Sequence, residues 1–147
     1  MKDSRIGVMG VLAILFCILL KLGGVSAIIY SDSLIWLVVA PALARTAQVI
    51  GLVFVNHIQS ERTLAETFYQ RGNFFLLLLC PLPFAILFFM DGVLGLVTLM
   101  IFALVLSGLL FYFKNKIGGI TGDTLGATTE IIETLVLLIG GMSVSIF

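Results

Sequence analysis

The sequence predicts an all-α, polytopic integral membrane protein with about five transmembrane helices, and three observations support that prediction. Hydrophobic residues make up 61% of the chain and charged residues only 11%, whereas soluble domains carry about 25% charged residues. The mean hydropathy is high, at +1.23. The apolar residues form long runs, and a helix needs about 20 such residues to cross a bilayer. We therefore expect residues 1–147 to form a single transmembrane domain.

Hydropathy locates the spans in order along the chain. The predicted spans are 6–22, 34–55, 74–90, 93–113, and a last one that starts near residue 131 or 134 and ends close to residue 147. Pro81 and Pro83 should kink or break the third span, because proline removes a helical hydrogen bond. Asp91-Gly92 is a turn signal, so the third and fourth spans should form a tight antiparallel pair.

The basic residues favour one orientation in the membrane. With five spans, the N-terminus and the segments 56–73 and 114–130 share one side. These segments contain the bases Lys2, Arg5, Arg62, Arg71, Lys114 and Lys116. The other side receives only Lys21, at the edge of the segment 23–33. Because Lys and Arg accumulate on the cytoplasmic side, the N-terminus should be cytoplasmic and the C-terminus outside.

A polar segment, GGITGDTLGATTEIIE at residues 118–133, interrupts the apolar sequence. Gly118, Gly119 and Gly122 permit positive φ angles and close approach of a ligand, and Asp123 can cap a helix that begins after it. Helical spacing places a set of small, polar and acidic residues on one face: Asp123, Gly126, Ala127, Glu130, Glu133 and Thr134. Such a face suits a hard cation and a phosphate ester. The alternative is a simple helix start, at which acidic residues are favoured by the helix dipole.

Arg45 lies near the middle of the second span, where a charge costs roughly 2.5–3.5 kcal/mol on insertion scales. We expect it to face a polar cavity, which Pro41 could widen by freeing a backbone carbonyl. A structural ion pair or a snorkelling side chain is the alternative. Nucleic-acid binding is disfavoured, because the net charge is zero and no long basic run occurs.

Three segments, in order, resemble one family. The opening MKDSRIGVMGVLA, the intramembrane AP-x-x-x-R at residues 40–45, and GG-x-TGD-x-LGA-x-x-E at residues 118–130 are similar to motifs of adenosylcobinamide-GDP ribazoletransferase, the cobalamin synthase family. The resemblance is to the C-terminal portion of a family member. An acidic motif of the form D-G-x-x-D-x-x-D-G, which the family carries upstream of MKDSR, has no counterpart here.

The resemblance implies an enzyme that joins adenosylcobinamide-GDP to α-ribazole, or to its 5′-phosphate, in the lipid bilayer of the cell (inner) membrane. It implies Mg²⁺ as cofactor, Asp123 and Glu130 as catalytic residues, and metal binding by these two and Glu133. The implied substrate and phosphate ligands are Lys2, Asp3, Arg5, Arg45, Gly118, Gly119, Thr121 and Gly122. A separate segment is expected to supply the missing acidic motif.

Two other functions fit the same composition. An intramembrane arginine and a glycine-broken last helix also suit a small transporter or channel. A non-catalytic membrane subunit, truncated or half of a split enzyme, is the other alternative. A transporter would place several polar groups at the midplane, whereas we expect only Arg45 there.

Overall fold

The computed structural model describes residues 7–54, 80–90 and 92–142. In this part of the chain five helices follow one another: α1 (Val8–Tyr30), α2 (Ile35–Phe54), α3 (Leu82–Met90), α4 (Gly92–Ile117) and α5 (Gly122–Met142). Four of these described helices, α1, α2, α4 and α5, are long and apolar enough to cross a membrane. The prediction of an all-α polytopic membrane protein is confirmed.

Two helix boundaries differ markedly from the prediction, in addition to the end of α4, which lies at Ile117 rather than near residue 113. Helix α1 continues to Tyr30 rather than ending near residue 22, and α5 begins at Gly122 rather than near residue 131. Hydropathy missed both ends because the residues there are small or polar although they are helical. In α5 the Thr128 and Thr129 hydroxyls donate to backbone carbonyls one turn earlier, at 2.8 and 2.9 Å. These bonds satisfy the polar side chains within their own helix.

The predicted antiparallel pairing is confirmed for α3, the described part of the third predicted span, and α4, whereas residues 74–79 and Asp91 of the predicted turn lie outside the described residues. Helix α3 begins at Leu82, after a turn at residues 80–81, so the prolines mark a helix start. A Cβ atom placed on Gly95 would lie 3.0 Å from the backbone of Leu87. The rings of Phe84 and Phe102 meet edge to face with centroids 5.0 Å apart. The glycine thus lets the two helices approach closely.

The remaining contacts fix the relative directions of α1, α2 and α5. Cys17 of α1 meets Thr134 of α5, and further along both helices Gly24 meets Leu137. Helices α1 and α5 therefore run parallel. Helix α2 runs antiparallel to α5, because its start, at Trp36, packs against Gly140, near the end of α5.

Helix α5 is central, since its most extensive contacts are with both α1 and α2. The buried face of α2 is a stripe at helical spacing, made of Trp36, Val39, Ala40, Leu43, Ala44, Ala47 and Gly51. The helix continues through Pro41, which lies on the exposed side. A stripe this rich in small residues allows close helix packing in a membrane.

Adjacent glycines of α1 provide a test of this packing. An added Cβ at buried Gly24 would lie 3.0 Å from the backbone of Leu137, whereas at exposed Gly23 it would meet nothing within 4 Å. Gly24→Ala should lower the thermal midpoint of the detergent-solubilised protein, because backbone cannot move aside as a side chain can. Gly23→Ala should leave it unchanged or raise it, since alanine favours helix. Equal effects of the two substitutions would contradict the α1–α5 contact.

Candidate functional site

The turn between α4 and α5 brings the chain back into the membrane within a few residues. Gly118 has a positive φ of 88° and its N–H donates to the Lys114 carbonyl at 3.1 Å. This is a glycine termination of α4, at a position where other residues would be strained. The predicted positive φ is therefore found at Gly118, while Gly119 is buried and Gly122 is the first residue of α5.

The start of α5 is capped by Thr121, so the prediction that Asp123 caps this helix is wrong. The Thr121 hydroxyl accepts a hydrogen bond from the Thr124 N–H at 3.3 Å, and the Thr124 hydroxyl accepts one from the Thr121 N–H at 2.9 Å. This reciprocal arrangement is a capping box built from two threonines. Asp123 lies inside the first turn, where its negative charge is favoured by the helix dipole.

The first half of α5 presents one exposed face. Asp123, Gly126, Ala127 and Glu130 are all exposed along it, as their spacing predicts. Thr134, which was predicted to continue this face, is instead buried, because it packs against α1. A Cβ placed on Gly122 or Gly126 would meet nothing within 4 Å. Packing within the described residues therefore gives no reason for glycine at either position.

At the end of this face, Lys21 of α1 reaches two carboxylates of α5. Its Nζ lies 2.7 Å from Glu130 Oε2 and 3.0 Å from Glu133 Oε2. The exposed fraction is 23% for the Lys21 side chain, 26% for Glu133 and 59% for Glu130. We call these three residues the charge cluster. Within it, the Lys21 and Glu133 side chains are mostly buried, whereas the Glu130 side chain is mostly exposed.

The charge cluster lies within α1 and α5, two helices that are long and apolar enough to cross a membrane, which corrects two predictions. Glu130 is about 12 Å along the axis from the start of α5, at 1.5 Å per residue, and Lys21 lies well inside α1 rather than in a connecting segment. The expectation that only Arg45 lies near the midplane is therefore wrong. The placement of Lys21 at the edge of a connecting segment is also wrong, because it lies within α1 and its ammonium group contacts two carboxylates of α5.

The described carboxylates do not form a metal-binding shell. No group of three or more His, Cys, Asp or Glu side chains in the described ranges converges in a way that could hold an ion. Glu130 and Glu133 are directed to Lys21, and Asp123 lies about 10 Å from Glu130 along the helix axis. As placed, Asp123, Glu130 and Glu133 do not fit a common Mg²⁺ site.

Arg45 is exposed on α2, and its Nη1 donates to Gln48 Oε1 at 3.2 Å. It lines a cleft of about 400 Å³ between α2 and α3. The cleft residues are predominantly apolar: Val38, Val39, Ala42, Thr46, Val49, Cys80, Leu82, Pro83 and Ile86. The Thr46 hydroxyl donates its hydrogen bond to the Ala42 carbonyl of the same helix. The expected polar cavity is thus an apolar cleft with one guanidinium group in its wall.

Three predicted phosphate ligands, Lys2, Asp3 and Arg5, lie outside the described residues. Lys21, in contrast, was not recognised as a site residue from the sequence. One signal in the sequence could have identified it: a base lies within one apolar run, and two acids lie at i and i+3 in another span. Because unpaired charges are costly in a membrane, such a base and such acids are expected to pair.

Comparison with known proteins gives a consistent result. The family model described as cobalamin-5-phosphate synthase matches residues 1–141. A protein of Syntrophobacter fumaroxidans named adenosylcobinamide-GDP ribazoletransferase is 32% identical over 138 residues, which is 93% of this chain and 56% of the relative. A Clostridium kluyveri protein of the same name is 34% identical over 142 residues, covering 94% of this chain and 56% of its own length.

The chain thus spans little more than half the length of these curated relatives. A third example, from Pseudomonas syringae, carries the same name and is 32% identical over 141 residues, with 57% of its length covered. No solved structure gives a significant match.

The cap assignment at the site can be tested by stability. Thr121→Ala should destabilise the protein by about 0.5–2 kcal/mol, because it removes a cap acceptor. Asp123→Asn should cost less, about 0.3–1 kcal/mol, because it removes only a favourable charge near the helix dipole. Denaturant unfolding in detergent micelles measures both, with Thr121→Ser as the control that keeps the cap. A larger loss for Asp123→Asn than for Thr121→Ala would contradict the assignment.

Proposed function

The chain belongs to the cobalamin-5-phosphate synthase family, and on this premise we propose that it forms part of an adenosylcobinamide-GDP ribazoletransferase site. The proposed substrates are adenosylcobinamide-GDP and α-ribazole or its 5′-phosphate. In the proposed reaction a ribose hydroxyl oxygen bonds to the phosphorus that carries cobinamide. The anhydride bond to the second phosphorus breaks, GMP leaves, and the hydroxyl proton passes to a base.

The exposed face of α5 carries this proposal. Gly122 and Gly126 leave open space where any other side chain would project, although glycine within a helix costs about 1 kcal/mol relative to alanine. Asp123 and Glu130 stand on the same exposed face. Close approach of a large ligand to the backbone, between two carboxylates, accounts for this combination of residues.

Each residue then has a role that phosphoryl transfer requires. Glu130 is the carboxylate proposed to take the proton of the attacking hydroxyl, and Asp123 is proposed to orient the nucleophile. The backbone of the α4–α5 turn, at Gly118, Gly119, Thr121 and Gly122, is proposed to border the ligand. Positive charge to neutralise the phosphates is proposed to come from Lys2, Arg5 and Arg45, because this reaction depends on positioning and charge stabilisation.

Dependence on Mg²⁺ stays a prediction. Phosphate-transferring enzymes commonly use this ion to neutralise oxygens, and it binds through one or two carboxylates together with substrate phosphates. Asp123, exposed and without an ion pair among the described residues, is the carboxylate most available to such an ion. Glu130 and Glu133 are less available, because both form ion pairs with Lys21. We assign no step of the reaction to the metal.

Transport is the less favoured function. The charged residues inside the bundle would suit an ion path, but Lys21, Glu130 and Glu133 neutralise one another to a large extent. The family match extends over nearly the whole chain, and the three relatives are all named as transferases.

The transferase proposal is tested by GMP release in proteoliposomes. The chain is assayed alone and together with the portion of the Syntrophobacter relative that its match leaves uncovered, which tests for a separate segment supplying the acidic motif. Asp123→Asn should lower turnover by about 100-fold, the loss that a misplacement of the reacting groups by about 1 Å can cause. Asp32→Asn, at the other end of the bundle between α1 and α2, is the matched control and should be unaffected. No GMP release in either arm would overturn the proposal.

We also propose that the protein lies in the cytoplasmic (inner) membrane with its N-terminus in the cytoplasm. The bases at residues 2, 5, 62, 71, 114 and 116 support this orientation. Placing Lys21 within α1 strengthens the proposal, because it removes the one base that had been assigned to the outer side.

Reporter fusions test this orientation. A reporter that is active only in the cytoplasm should give signal when fused after Lys116, near the end of α4. The same reporter should be silent after Asp32 or after Phe147, because α1 and α5 run parallel and both positions follow the C-terminal ends of these helices. Signal at Phe147 with silence at Lys116 would reverse the orientation.

A further inference from the structure

Lys21 is held in place by close packing on both sides of it along α1. On one side, Cys17 Sγ lies 3.3 Å from Thr134 Oγ1. Since the Thr134 hydroxyl donates its proton to the Glu130 carbonyl at 2.7 Å, the cysteine thiol is the donor to Thr134. On the other side, Gly24 lies against the Leu137 backbone. These contacts set the register of α1 on α5 and place the Lys21 ammonium group beside the carboxylates of Glu130 and Glu133.

The two carboxylates of the charge cluster have unequal environments. Glu133 is largely buried beside Lys21, whereas more than half of the Glu130 side chain is exposed, on the same face as Asp123. One lysine and two glutamates carry a net charge of −1. A structural ion pair requires one carboxylate for one ammonium group, and a second charge at membrane depth is costly. One glutamate is enough to pair with Lys21 and hold α1 to α5, so the Glu130 carboxylate is not needed for that ion pair.

We propose that Lys21 is a positioning residue: anchored on Glu133, it holds the Glu130 carboxylate at the exposed face of α5. The inference rests on the proposed function, in which Glu130 accepts a proton from the nucleophile. Within the described part of the chain, the Glu130 carboxylate makes its hydrogen bond through Oε2. Its Oε1 atom is left for the substrate.

The consequences of substitution follow from this arrangement. Without Lys21, two carboxylates would stand side by side, and their repulsion would turn Glu130 away from its position. Without the charge of Glu133, Lys21 and Glu130 would form a neutral pair in the same place, because a glutamine at 133 still offers an oxygen to Nζ. The two glutamates, equivalent as acids, should therefore differ sharply in their effect on the reaction.

Turnover kinetics in proteoliposomes test the proposal. Lys21→Met should lower kcat by about 10- to 100-fold with little change in KM, because a mispositioned proton acceptor acts on the transition state. Lys21→Arg should retain most of the activity that Lys21→Met loses, since arginine keeps the positive charge and can still contact the carboxylates of Glu130 and Glu133. Glu130→Gln should lose as much as Lys21→Met, and Glu133→Gln should lose little.

Gly95→Ala is the control for a purely structural role, because it disturbs the α3–α4 contact, where an added Cβ would lie 3.0 Å from the Leu87 backbone, without changing a charge or the α1–α5 contact. Its kcat per folded molecule should equal that of the unsubstituted chain. The proposal is overturned if Glu133→Gln is as damaging as Glu130→Gln, if Lys21→Arg fails to rescue, or if Gly95→Ala lowers kcat as Lys21→Met does.

A second measurement separates this inference from the proposed function. Magic-angle-spinning NMR of the reconstituted chain should show contacts from the Lys21 Nζ to the Cδ of both glutamates, assigned with Glu130→Gln and Glu133→Gln. The Glu130 contact should persist in Glu133→Gln. Its absence from the unsubstituted chain would reject the positioning role whatever the activity. Contacts as expected, with no turnover, would reject the transferase proposal and leave the placement of Glu130 by Lys21 intact.

Discussion

The close approach of α5 to α1 and α2 is the constraint on which the rest of the structure depends. Glycines make it possible: Gly24 lies against the Leu137 backbone, and an added Cβ on Gly140 would come within 2.6 Å of the Trp36 ring. Contacts this close permit essentially one register of the helices. That register places Lys21, less than one turn from Gly24, opposite Glu130 and Glu133. A shift of one residue would rotate the lysine away from both.

Polar groups inside the bundle are satisfied by two different means. The buried threonines of α5 donate to carbonyls of their own helix, which requires no partner element. The charged residues instead need a partner from another helix, because no backbone group can neutralise them. The threonine hydrogen bonds allow the polar segment to form a helix, and the ion pairs with Lys21 join that helix to α1. Together they allow a polar sequence to occupy the centre of a membrane protein.

Helix α5 therefore has two faces with different tasks. One face carries Ile132, Val136 and Leu137 in the core, and the other exposes Asp123, Gly126 and Glu130. Because both faces belong to one helix, the packing that stabilises the fold also sets the positions of the carboxylates. Functional groups on a packed helix are held more accurately than groups on a loop. This accounts for the placement of a proposed phosphoryl-transfer site on the most extensively packed helix of the described chain.

The sequence by itself determined the fold class, the antiparallel α3–α4 pair, the glycine with positive φ at residue 118, and the exposed spacing of Asp123 and Glu130. These features depend on hydropathy and on local backbone geometry, which act over a few residues. The tertiary structure alone decided that Lys21 meets Glu130 and Glu133, that α5 begins at Gly122, and that Arg45 borders an apolar cleft. Lys21 and Glu130 are 109 positions apart in the chain. Their pairing depends on how two helices are packed against each other, and local sequence pattern carries no record of that register.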